Sequence, residues 1–281
     1  MKHDERLTSL YTHQWIQYPR AEQALAKLEE FLALPQMHRM PNMLLVGDTN
    51  NGKTALIRRF SQKHLPALDQ QQAASSVPLI VIQAPPAPDE RRFYQAILSH
   101  VFAPFRPSHS AAHLQHQVLR LLSAVQTKML IIDEIHHILA GPLIKQRHFL
   151  NVIKYLGNEL QIPIIAIGTK DAFHAIQTDE QLANRFEPVV LPRWTMNADY
   201  LRLLASFEQV FALEHASSLV KPALARKILH ISGGTIGEIS SLLRRAAREA
   251  IERGTEQITP ELLDSCGYMS PLQRRQAASA V

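Results

Sequence analysis

The chain has 281 residues, 46% of them hydrophobic, which is enough for one large domain or a core with a small satellite. No apolar run approaches the roughly 18 residues that span a bilayer, "MKHDERLTSL" holds no apolar segment of signal-peptide type, and one cysteine, Cys266, excludes a disulfide framework or a cysteine-rich metal site. A cytoplasmic protein is therefore expected, and the net charge of +5 permits contact with nucleic acid without demanding it.

In chain order, "RAEQALAKLEEFLAL" (20–34) sets Ala21, Leu25, Leu28 and Leu32 on one face of an amphipathic helix that stops near Pro35. An apolar strand, Met43–Val46, runs into a helix from Gly52 to His64. The polar tract "LPALDQQQAASSVP" reads as a loop, "LIVIQ" (79–83) as a buried strand, and "DERRFYQAILSHVF" as a helix after a Pro-rich turn. "APFRPSHSA" is a second loop, His113–Gln126 a helix, and "KMLIIDE" a strand. A helix over 146–160, the strand "IPIIAIG", a short helix over 171–184 and the strand "PVVL" (188–191) complete the series. Strands alternating with helices predict an α/β fold: a five-stranded parallel sheet covered by helices on both faces. After Pro192 the strands cease, and 197–210, 222–231 and 235–252 read as helices, the last burying Ile236, Ile239, Leu243, Ala246 and Ala250. The expected organisation is an N-terminal segment (1–40), an α/β core (41–193), a small all-α lid (194–265) and a C-terminal tail (266–281).

Gly47 and Gly52-Lys53-Thr54 match G-x-x-x-x-G-K-[ST] between a strand and a helix. Glycines let backbone N–H groups close around phosphate oxygens, and the helix N-terminus adds positive potential. Lys53 would reach the β- and γ-phosphates of ATP, and the Thr54 hydroxyl would ligate Mg²⁺; Asn50, Asn51 and Ala55 complete the cradle. "MLIIDE" (129–134) ends a buried strand in two acids. Asp133 is placed to hold the Mg²⁺ shell and Glu134 to orient or deprotonate the attacking water. One extra strand, 79–83, lies between Lys53 and these acids, which argues for ATP hydrolysis over phosphoryl transfer to a metabolite. Thr169, after the next strand, is placed to sense the γ-phosphate, although an ordinary helix N-cap explains a Thr there too. Arg185, before the last strand, is a candidate finger aimed at the ATP of a neighbouring subunit, with a surface ion pair as the plainer alternative.

Together these residues resemble an AAA+ ATPase. The phrases "WIQYPRAEQALAKLEEFL", "RMPNMLLVGDTNNGKT", "IIDEIHHILAG", "IPIIAIGTKDAFHAI" and "LANRFEPVVLPRW" resemble more narrowly the TniB family of transposition ATPases, relatives of TnsC and, more distantly, MuB. The resemblance implies ATP-dependent binding to duplex DNA through its backbone, homo-oligomeric rings or filaments, and work with a DDE-type transposase and a target-selection protein, nucleoid-bound in a bacterium. It also implies that Tyr18 and Pro19, in "YPRA", lie near the adenine. One departure stands out: where many AAA+ lids carry an Arg in G-x-x-R, "GGTIGEI" has Gly237, which implies weak coupling of lid to nucleotide and slow hydrolysis.

Backbone contact with DNA needs Lys and Arg. Arg106 in "FAPFRPSHSA", and Lys145 and Arg147 in "AGPLIKQRHF", are the candidates; solvated surface charge is the alternative for each. "DEIH" has the form of a helicase motif, but the tract 194–281 is too short and too helical for a second motor domain. A helicase loader or IstB-like remodeller, and a nucleotide switch in signalling without DNA, remain the competing readings.

Overall fold

A computed structural model describes residues 3–12, 15–65, 76–177 and 184–279. Most of the polar tract after Leu65 and the end of the helix expected over 171–184 lie outside them. Contacts divide the chain into two compact units. One comprises Gln23–Thr49 and Lys53–Leu191; the other comprises Met1–Glu22, Asn50–Gly52 and Pro192–Val281.

The first unit is built on a parallel sheet. Its strands are β1 (Asn42–Gly47), β2 (Leu79–Gln83), β3 (Met129–Asp133), β4 (Ile164–Gly168) and β5 (Phe186–Leu191), in the order β2-β3-β4-β1-β5. The inner strands β1 and β4 are buried along their whole length, as parallel strands covered on both faces must be. Each fully buried Leu or Ile of this core contributes about 1.5–3 kcal/mol. The strand over 79–83 is not next to β1 in space: it forms the far edge, and β4 is what separates β1 from β3. β5 begins two residues before the expected Pro188. It is the other edge strand, where a proline's missing N–H leaves no ladder bond unmade.

The covering helices are α3 (Lys53–Lys63), α4 (Glu90–His100), α5 (Ala111–Ala124), α6 (Leu143–Leu160) and α7 (Lys170–Gln177). Asp89 and Ser110 cap α4 and α5 by accepting the Arg92 and His113 N–H groups. α2 (Pro19–Ala33) buries Ala21, Ala24, Leu28 and Phe31, whereas Leu25 and Leu32 are only half-buried. The expected stripe was therefore off by a fraction of a turn, because small alanines carry half of the buried face.

The second unit is helical among its described residues. α8 (Ala198–Phe211), α9 (Pro222–Ser232) and α10 (Ile236–Glu252) were expected; α1 (His3–Tyr11), α11 (Pro260–Ser265) and α12 (Pro271–Ser279) were not. Leu10 of α1 joins a core with Tyr200, Phe207, Leu242 and Ala246, and Arg6 fixes the helix through a two-pronged ion pair with Glu256 at 2.7 and 2.9 Å. α10 buries Glu238 beside Ile239, Leu243, Ala246 and Ala250, while Ile236 is half-buried.

Candidate functional site

The strand register brings three chain segments to one edge of the sheet. Val46 pairs with Gly168 and Ile132 with Ala166, so Gly47, Thr169 and Asp133 all follow at the carboxyl ends of β1, β4 and β3. This is where ligands sit in open parallel sheets.

Lys53, first residue of α3, is buried, and its ammonium donates to the carbonyls of Gly47 and Asp48 at 2.8 Å each. Burial pulls its pKa below the ordinary lysine value, against the nearby carboxylates of Glu134, Asp133 and Asp48. Thr54 Oγ1 donates to Asp133 Oδ2 at 2.9 Å, and the other Asp133 oxygen accepts the Glu134 N–H at 2.8 Å. A threonine hydroxyl beside a carboxylate is the hard oxygen donor pair that suits Mg²⁺.

Glu134 is in the left-handed region (φ 55°, ψ 38°), where a residue other than Gly costs about 1–3 kcal/mol. That turn ends β3 and starts a 3-10 segment, Ile135–Ala140. His136 Nδ1 lies 3.1 Å from a Glu134 carboxylate oxygen, and His137 Nδ1 is 3.2 Å from the Ala84 carbonyl. Donor atoms of Glu134, His136 and His137 lie within 4.8 Å of one another. Gly168 makes room for this segment: a Cβ there would meet Ile135 Cγ2 and the Ala172 side chain at 2.8 Å each.

Thr169 precedes α7, and its carbonyl accepts the Phe173 N–H at 3.3 Å. Its Oγ1 is buried and has no hydrogen-bond partner among the described residues, so the hydroxyl is not spent on capping the helix. Arg185 is not brought to this edge. It precedes β5, whose Phe186 pairs with Asn42 at the start of β1, so a strand length of roughly 17 Å separates it from Gly47. Its guanidinium donates to Asn158 at 2.8 Å. Arg106, Lys145 and Arg147 are exposed, and none of them forms an ion pair among the described residues. Near them in sequence, Phe102, Leu143 and Ile144 are 95%, 69% and 83% exposed.

In the helical unit the loop tip makes a second set of contacts. Asn50 (φ 61°) and Gly52 (φ 82°) are left-handed. The Asn50 carbonyl accepts the Gly237 N–H at 3.0 Å, and its amide donates to Glu238 at 3.0 Å. Asn51 is buried; its amide donates to the Pro192 carbonyl and its Oδ1 accepts the Ile236 N–H. The asparagine side chains therefore hold the first turn of α10, whose N-cap Thr235 makes no side-chain cap. "TIGE" has the spacing of a capping box at the helix start expected at 235, but the Thr235 side chain does not close it.

Tyr18 is buried edge-on against Trp194 at 5.1 Å, and burial pushes its pKa up to about 12. Its hydroxyl lies 3.8 Å from where a Gly52 Cβ would stand. Trp194 N–H donates to Gly234 at 2.7 Å and Arg193 to Gly233 at 3.3 Å, so "LPRW" is tied to "SGGT". Gly234 (φ 77°) leaves no space for a side chain, since a Cβ would sit 2.8 Å from the Trp194 carbonyl oxygen.

A parallel sheet in this strand order, carrying a phosphate loop and an Asp-Glu strand end, is the fold of the AAA+ P-loop ATPases, and the chain has this fold. Its family is narrower than that. The profile of the bacterial TniB protein matches residues 6–196, and the chain belongs to the TniB family.

Among solved structures it is similar to the ORC1 protein of Aeropyrum pernix in complex with DNA (20% identity, 92% of this chain and 68% of that one, TM-score 0.61). CDC6p of Pyrobaculum aerophilum is also similar (17% identity, 92% and 69%, TM-score 0.64). A curated relative is the ATP-binding subunit ClpL of the ATP-dependent Clp protease from Lactococcus lactis, 27% identical over 184 residues. That match takes in 63% of this chain but only 22% of ClpL. No helix among the described residues is long and apolar enough to cross a membrane.

Proposed function

We propose that this chain is an ATP-dependent regulator of transposition that assembles on duplex target DNA and recruits or activates a DDE-type transposase, with hydrolysis setting how long the assembly lasts. The observation that carries the nucleotide chemistry is the Thr54–Asp133 contact of 2.9 Å beside a buried Lys53. Membership of the TniB family carries the transposition context.

In this reading the backbone of Gly47, Asn50, Asn51, Gly52 and Ala55 wraps the phosphates, Lys53 exchanges its two carbonyl partners for phosphate oxygens, and Tyr18 and Pro19 lie by the adenine. Thr54 and Asp133 would hold Mg²⁺, which supplies neutralisation of phosphate charge when bound. Glu134 leaves His136 to orient the attacking water and accept its proton. The free Thr169 hydroxyl donates to the γ-phosphate. Arg185, a strand length from its own phosphate loop, serves the site of the next subunit and stabilises transition-state charge there. Arg106, Lys145 and Arg147 meet DNA phosphates, and their exposure, with no ion pair among the described residues, keeps them available. That the similarly folded ORC1 protein was solved in complex with DNA supports this part of the reading. The protein works in the bacterial cytoplasm and is nucleoid-associated while on DNA.

The test is electron microscopy and sedimentation with duplex DNA, with and without a non-hydrolysable ATP analogue. Nucleotide-dependent assembly is expected, trapped by Glu134→Gln and prevented by Lys53→Ala. Absence of assembly, or equal assembly by both variants, would overturn the reading.

A further inference from the structure

Glu238 is a charged residue on the buried face of α10, only 8% exposed. Its three side-chain partners come from two parts of the chain. One carboxylate oxygen accepts the Asn50 amide at 3.0 Å. The other accepts the Tyr268 hydroxyl and the Arg274 guanidinium, the latter at 2.5 Å. Burial pushes this carboxyl's pKa up, but Arg274, Tyr268 and Asn50 together outweigh burial and hold it below the ordinary glutamate value. It is therefore a carboxylate that needs its partners, because a buried charge left unpaired is costly.

The arrangement explains two features of sequence. Asn50 is exposed and left-handed, a conformation that asparagine tolerates better than most side chains. Gly237 leaves the space that Asn50 fills: a Cβ there would lie 1.9 Å from Asn50 Oδ1 and 2.7 Å from its carbonyl oxygen. The missing lid arginine is thus replaced by a backbone seat for the phosphate loop, and Glu238 is the wall of that seat. Arg274 stands on α12, a helix with no buried residue, so this ion pair is a principal tie between that helix and the rest of its unit.

We infer that Glu238 is a positioning residue for the phosphate loop, and that Arg274 of the C-terminal helix α12 sets nucleotide affinity through it. The inference rests on the nucleotide reading of the loop. With Arg274 in place, Glu238 holds Asn50, and the loop is preorganised for phosphate. With α12 displaced, the carboxylate turns toward water, Asn50 loses its acceptor, and part of the binding free energy goes into ordering the loop again. A partner that grips α12 would therefore weaken nucleotide binding without touching the nucleotide.

The experiment compares wild type, Arg274→Ala and Arg274→Lys in titrations with ADP, in steady-state ATP hydrolysis and in amide hydrogen exchange. Because α12 buries no residue, Arg274→Ala is expected to fold, but to melt below wild type, since the buried Glu238 carboxylate is left with only its Asn50 and Tyr268 partners. It should bind ADP about five-fold or more weakly, raise KM for ATP in parallel, and keep kcat within about two-fold. Exchange at the Gly237 amide should accelerate without any nucleotide, and Arg274→Lys should recover most of the affinity. Unchanged ADP affinity and Gly237 exchange in Arg274→Ala, with wild type binding normally, would overturn the inference alone. Failure of the wild type to bind ADP would overturn the nucleotide reading and this inference with it.

Discussion

The carbonyl of Asn50 accepts the N–H of Gly237 at 3.0 Å, so the tip of the phosphate loop caps a helix that begins 186 residues later. Four N–H groups at a helix start lack intrahelical partners. Here Asn51 takes that of Ile236 and Asn50 that of Gly237. Thr235, in the position a capping side chain would fill, leaves its buried hydroxyl unpaired among the described residues.

Gly237→Ala tests this contact most directly. A methyl group there overlaps both the Asn50 side chain and its backbone, and the backbone cannot rotate away. The expected cost is about 1–3 kcal/mol, read as a fall in melting temperature, with weaker nucleotide binding in the same protein. A variant that melts and binds like wild type would mean that the Asn50–Gly237 seat is not populated in solution.

Thr169→Val separates folding from chemistry. The hydroxyl is buried without a partner among the described residues, and an unpaired buried polar group costs about 1–3 kcal/mol, so Val should melt no lower than Thr. If the hydroxyl meets the γ-phosphate, kcat should fall by about a hundred-fold. A lower melting temperature with unchanged kcat would assign Thr169 to structure instead.

Sequence reasoning worked best where one physical rule dominates. Buried parallel strands need unbroken apolar runs, so β1, β3 and β4 were legible, as was the phosphate loop, where backbone approach to an anion demands glycine. The far-edge position of β2 was not legible, because order in a sheet depends on crossovers and not on composition. α1 was missed because its apolar face is little more than Leu7 and Leu10, made helical by packing and by the Arg6–Glu256 pair. Glu238 was missed because a glutamate in a helix reads as solvated surface. Only the distant Arg274, Tyr268 and Asn50 make its burial tolerable. The doublet Asn50-Asn51 was legible as a signature, whereas its use of side chains to hold α10 requires the fold.

The Arg6–Glu256 pair predicts an acid-sensitive N-terminal helix. The Arg6 guanidinium holds the Glu256 carboxyl below its ordinary value, against a smaller upward push from burial. A folded-state value below the unfolded one means that the stabilisation is complete above the unfolded pKa, near 4.3. It is lost as pH falls through the folded value. Glu256→Gln should therefore be less stable than wild type at pH 7, and the gap should narrow below about pH 4.3. Denaturant titrations from pH 7 to pH 3 give the comparison; a gap of constant size across that range would show that the pair contributes nothing through its charge.

The cation set Arg106, Lys145 and Arg147 gives the last prediction. All three are exposed and form no ion pair among the described residues, so each replacement by alanine should change stability by no more than about 0.5 kcal/mol. If each neutralises one phosphate, the slope of log K against log salt should become shallower by about 0.9 per residue. The loss should be the same on duplexes of different sequence, because phosphate contacts position a protein without reading bases. An unchanged slope in the triple variant would remove these residues from the interface. A loss confined to some sequences would instead point to base-edge contacts, which the exposed Phe102, Leu143 and Ile144 close by in sequence would have to supply by apolar contact.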